Sequence, residues 1–130
     1  AEVHADKVLT DTFEDRSASK SIDAAYVTDG TAKAWIIFDG TGTVASRDSF
    51  NVSSLTDDGV GLYTVGLTNN FASADYASTV GSTRSGSQAA DRAASGQHAT
   101  SSFLVHCRNT NTNSDADQDE LSGVAHGDLA

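Results

Sequence analysis

Residues 32–54, AKAWIIFDGTGTVASRDSFNVSS, decide how the chain is read. Trp35, Ile36, Ile37 and Phe38 come together, pass through Asp39, Gly40, Thr41 and Gly42, and enter a polar alternation. A phosphate-cradling loop needs a helix behind it, whose N-terminal N–H groups point at the anion. Here TVASRDSF follows, which is strand-like, and the third glycine of a dinucleotide fingerprint is missing. The stretch is a turn between two strands, with glycine supplying the positive φ of a tight hairpin.

The run before the turn carries more information. If Ala34, Ile36 and Phe38 face the core, then Trp35 and Ile37 face away from it, because successive strand residues point to opposite sides. A sandwich strand normally presents one polar face to water. This one is apolar on both faces, so it needs a cover: the N-terminal arm or another subunit. Trp35 and Ile37 are therefore candidate oligomer-interface residues.

Outward from there, period-2 alternation recurs in Ile22–Ala24–Tyr26, Phe50–Val52, Tyr63–Val65–Leu67, Tyr76–Val80 and Phe103–Val105–Cys107, and again near ELSGVAHGDL. Turn signals TDGT, DGTG, TDDGVG, TNN and NTNTNSDADQD separate these runs. About eight short strands at this spacing predict an all-β, antiparallel, jelly-roll-like β-sandwich over 22–130. Residues 1–21 read as an extended N-terminal arm with room for one short strand, in which isolated Val8, Leu9 and Phe13 would make poor core but good anchors on a neighbouring subunit. SQAADRAASG, 87–96, reads as one turn of helix or a loop.

At 130 residues the chain has the size of one domain, and its net charge of −10 excludes the basic face that nucleic acid requires. Anionic membrane surfaces are disfavoured for the same reason, and no stretch reaches the ~20 apolar residues of a membrane helix. Cys107 stands alone, so the chain has no internal disulfide. Its alternation with Phe103 and Val105 makes it a small buried side chain.

Residues 29–77 resemble a segment of bacteriophage tail-fibre and related virion proteins, many from aquatic hosts. Gly30, Ala32 to Trp35, Phe38, Gly40 to Ala45, Asp48 to Ser54 and Tyr63 to Val65 carry the resemblance, with Ile37 where the family usually has Asn. It implies localisation in the virion and a structural role as a tail-fibre or spike tip or a capsid-decoration subunit. Such a subunit would assemble as a homo-oligomer, a homotrimer by expectation, alongside other virion proteins. The family supplies no catalytic residues.

The remaining motifs offer little chemistry. No Gly-x-Ser-x-Gly elbow occurs, and no enzyme activity or cofactor is expected. DADQDE offers Asp115, Asp117 and Asp119 as a weak Ca²⁺ candidate, although the glycine and glutamate spacing of a helix-flanked calcium loop is absent. His106 and His126 become cross-strand neighbours if the last two strands form a hairpin. The alternative function is a receptor-binding module for host cell-surface glycan, with Tyr76, Arg84, Arg92 and His98 as candidates in the loop-rich 69–100 region.

Overall fold

The computed structural model describes residues 2, 4–82 and 91–130. It is nearly all-β, 54% strand against 4% helix, with antiparallel sheets packed together as a sandwich. The chain forms two compact units, Ala1–Thr31 and Ala32–Ala130, so the boundary lies about ten residues beyond the expected arm.

The first unit is not extended throughout. Strands β1 (Thr12–Glu14) and β2 (Ser21–Asp23) form a hairpin, followed by a short helix α1 (Ala24–Thr28). Asp15 organises the hairpin loop by accepting from Ser19 N and Lys20 N and from the Ser17 and Ser19 hydroxyls. Those bonds, led by the one from the Lys20 amide, lower its carboxyl to about 2. The strand expected around Ile22–Ala24–Tyr26 breaks at Asp23. The following AAYVT is apolar at consecutive positions and begins with two alanines, the best helix formers. Neither the strands nor the helix of this unit buries a residue.

The second unit holds β3 (Ala34–Asp39), β4 (Ala45–Phe50), β5 (Val52–Gly59), β6 (Leu62–Leu67) and β7 (Ala77–Ser82). It continues with β8 (Asp91–Ala99), β9 (Ser102–Asn109), β10 (Ser114–Asp115) and β11 (Leu121–His126). One sheet has the order β4-β3-β11-β7. In the other, β5 pairs with β6 and β6 with β9. Strand β8 takes the far edge of β9, and β10 continues along β9 beyond the end of β6.

Alternation places Ala34, Ile36 and Phe38 of β3 and Leu121 and Ala125 of β11 inward from the first sheet. They meet Tyr63, Val65 and Leu67 of β6 and Phe103, Val105 and Cys107 of β9. Phe38 and Tyr63 touch edge to face at 5.2 Å between centroids. Gly123 lets the Phe103 ring approach, since a Cβ there would lie 3.2 Å from the ring.

The opening stretch is the expected hairpin. Asp39 Oδ1 accepts from Thr41 N and Thr41 Oγ1, an Asx turn, and these bonds hold its carboxyl below the ordinary value. The positive φ belongs to Gly42, at 59°. Gly40 serves a different need, because a Cβ there would come within 2.5 Å of the Tyr63 hydroxyl oxygen.

Phe50 and Val52 do not share a strand as the alternation suggests. Asn51, at φ 57°, turns the corner that carries the chain from one sheet to the other, and its side-chain amide exchanges hydrogen bonds with the Asn69 backbone. The described part of SQAADRAASG is also corrected, since Asp91 to Gly96 lie in β8. Pairing along β9 overrides the local helix preference of its alanines. Residues 87–90 lie outside the described residues.

Candidate functional site

The outer face of the β4-β3-β11-β7 sheet is the most unusual surface of the sandwich. Trp35 and Ile37 point outward between the buried Ala34, Ile36 and Phe38, and Trp35 remains 37% exposed. Antiparallel register sets Trp35 beside Phe50 on β4 and Val124 on β11, with Thr79 across from Val124 on β7. The next cross-strand row is Asp48, Ile37, Ser122 and Gly81. The small Gly81 and Ser122 leave a groove of about 440 Å³ on this face, lined along its sides by Trp35, Ile37, Thr79 and Val124. Phe50, 56% exposed, extends the apolar area beyond it.

Charges gather at one end of the face. Arg47 bridges Glu120, at 2.8 Å, and Asp39, at 3.7 Å, and donates to the Asp119 carbonyl. Between that cluster and Lys33 and His126 at the other end, the two central rows contain a single charged side chain, Asp48.

The expected anchors Val8, Leu9 and Phe13 belong to the first unit and are exposed at 62%, 83% and 45%.

Of the described glycan candidates, Tyr76 and His98 are in contact and Arg92 stands apart. Tyr76 is no open platform: it is buried, stacks on Phe71 with centroids 4.0 Å apart, and donates its hydroxyl to the Ser102 carbonyl at 2.7 Å. Burial pushes that hydroxyl's pKa up. His98 lies against the Tyr76 ring at 4.6 Å and hydrogen-bonds Ser78 Oγ at 2.6 Å. This Ser–His pair joins β7 to β8, the edge strands of the two sheets. Arg92 is six residues away along extended β8, roughly 20 Å, where it sits opposite Arg108. Arg84 lies outside the described residues.

The three loop carboxylates also diverge. Asp115 Oδ1 accepts from His106 Nε2 at 2.7 Å and pairs with Arg108 Nε at 3.1 Å, so its carboxyl lies below the ordinary value, with the His106 bond as the main cause. Asp117 Oδ1 turns inward instead, accepting from Gly61 N at 2.7 Å and from the Tyr63 hydroxyl at 2.8 Å. Burial, aided by that carboxylate, raises the Tyr63 phenol far above its usual range. Asp119 contributes its carbonyl to Arg47. Among the described residues no three His, Cys, Asp or Glu side chains form a metal-holding group. His106 and His126 are not cross-strand neighbours, because β9 and β11 belong to different sheets.

Sequence reasoning finds Trp35 and Ile37 but misses Phe50, Val124 and the Ser122–Gly81 depression. Phe50 is visible in the alternation, but its side depends on the corner at Asn51. Val124 and Gly81 reach this face only through the order β3-β11-β7, which joins strands far apart in the chain.

No protein-family model, curated protein or solved structure matches the chain.

Proposed function

We propose that the chain is a non-enzymatic structural subunit of a bacteriophage virion that assembles with copies of itself through the outer face of the β4-β3-β11-β7 sheet. The observation that carries the assembly part is that face: Trp35, Ile37, Phe50 and Val124 side by side in a chain whose net charge is −10. An acidic protein of this kind gains solubility from its charges. A contiguous, charge-depleted apolar patch on it has the composition of an interface centre. The virion assignment comes from the resemblance over 29–77, with Ile37 in place of the usual Asn adding to the apolar face. Fibre or spike tip and capsid decoration are both compatible with a small β-sandwich.

The described glycan candidates add little to the glycan reading, since Tyr76 is occupied in the core and Arg92 stands well away from it.

The test is to label purified particles of the phage that encodes the chain with antibody against it, viewed by electron microscopy. Regular label at a fixed place on the particle is expected. Particles whose protein content lacks the chain by mass spectrometry would contradict the assignment.

A further inference from the structure

The outward positions of the first sheet fall into cross-strand rows of unequal height. One row, Phe50, Trp35, Val124 and Thr79, is bulky along most of its length. The next, Asp48, Ile37, Ser122 and Gly81, steps down toward β7 to a hydroxymethyl group and then to bare backbone. Beyond the bulky row stand Lys33 and His126. Beyond the low row stand Asp39 and Glu120, both paired with Arg47. The face therefore has a high end next to cationic or titratable groups and a low end next to carboxylates.

We propose that this face pairs with the same face of a second copy about a two-fold axis lying between the sheets and running across the strands. The proposal rests on the reading of the face as an assembly surface and adds its geometry. Such a rotation lays β3 over β3 and β11 over β11 with strand direction reversed, and the reversal exchanges the rows. Val124 and Thr79 of one copy then descend on Ser122 and Gly81 of the other, larger side chains on small ones, while Trp35 packs on Ile37 and Phe50 lies over Asp48. The flanking rows exchange in the same way, so Lys33 meets the carboxylate of Asp39 and His126 meets Glu120. This is the self-complementarity that a closed two-fold contact requires.

The other face-to-face rotation, about an axis parallel to the strands, fails on both counts. It sets the bulky row against itself and leaves the low row facing a gap. It also opposes the carboxylates of Asp39 and Glu120. Like charges held opposite each other across an interface are costly. A pair of chains each carrying −10 needs its contact where charge is sparse and, at the rim, matched. The register thus favours pairs over the homotrimer expected from the family resemblance.

Sedimentation velocity on the full-length chain over a wide concentration range tests this, with two variants checked for native circular dichroism. Wild type is expected to pass from one chain mass to two. Gly81→Leu adds apolar surface at a position where a new Cβ meets only Ser122 Oγ, at 3.6 Å, so the fold tolerates it. It fills the depression that receives the partner's ridge, and association should weaken roughly tenfold or more. Lys33→Glu should weaken association several-fold, and more at low salt. Tighter association of either variant, or a mass of three chains for wild type, overturns the two-fold pairing while leaving self-assembly intact. A wild-type chain that stays monomeric at every concentration overturns both.

Discussion

On the outside of the β5-β6-β9-β8 sheet stand Thr56, Leu62, Thr64, Ser102, Leu104, His106 and Arg108; on the outside of the β4-β3-β11-β7 sheet stand Trp35, Ile37, Asp48, Phe50 and Val124. Both faces arise from the same alternation, and both back onto the same core. The first is the more polar face, with Leu62 and Leu104 set among hydroxyls and charges. The second is apolar along β3 and carries most of its charges at its two ends. Core packing cannot explain this, because the core is already filled from the other side by Ala34, Ile36, Phe38, Leu121 and Ala125. A domain needs only one apolar face per sheet to fold, and a second apolar face supports the proposed contact between copies.

The contrast depends first on what the two sheets share. Phe103 is fully buried at their junction, against Gly123. Phe103→Ala should cost about 3–5 kcal/mol in urea unfolding, because a large ring leaves a cavity the sandwich cannot close. A cost under ~1 kcal/mol would mean that the sheets are not packed on that ring.

Next come paired substitutions on the two outer faces. Trp35→Asp should abolish self-association at concentrations where wild type assembles, an effect of at least about 2 kcal/mol. Leu104→Asp on the other face should leave association unchanged. Both variants should remain folded by circular dichroism. If Leu104→Asp disrupts assembly as much as Trp35→Asp, the contrast between the faces has no functional meaning.

A smaller effect tests how the apolar face is held in register at its charged end. Gly40→Ala places a methyl within 2.5 Å of the Tyr63 hydroxyl and 2.9 Å of the Gln118 carbonyl. It should cost roughly 1–3 kcal/mol through overpacking and release of the Tyr63–Asp117 hydrogen bond. Equal thermal midpoints for wild type and variant would mean that the close approach does not exist.

The smallest effect belongs to the solvated sheet. Asp115 titrates below an ordinary aspartate because His106 donates to its carboxylate. A depressed carboxyl adds stability above the ordinary value near 3.8, and that stability is lost as pH falls through the lower folded value. Carbon-detected NMR titration should show Asp115 protonating below that ordinary value, and Asp115→Asn should flatten this part of the acid profile. An ordinary midpoint for Asp115 would mean the His106 contact does not form.

Much of this is legible in the sequence because alternation reports burial directly. Ala34-Ile36-Phe38, Tyr63-Val65-Leu67 and Phe103-Val105-Cys107 are inward as read, and Asp39–Gly42 is a hairpin turn. The outward placement of Trp35 and Ile37 follows from the same rule. The alternation cannot show the corner at Asn51, because one residue in a left-handed conformation redirects the chain without interrupting the pattern. Nor can it show β8, whose alanines favour helix locally but pair along nine residues of strand. Tyr76 reads as a loop aromatic because the sequence does not reveal its stack on Phe71, which forms only when the 68–76 connection folds back. The row of small residues that completes the candidate interface depends on β11 inserting between β3 and β7, a long-range pairing that no local pattern carries.

Trp35 is the only tryptophan in the chain, so its fluorescence reports on the apolar face without labels. Acrylamide quenching of Trp35 emission across a dilution series therefore asks whether that face is covered by assembly. If it is, quenching is strong in dilute solution and falls, with a blue shift, as concentration rises. Equal quenching and an unshifted spectrum at every concentration would contradict an assembly surface there.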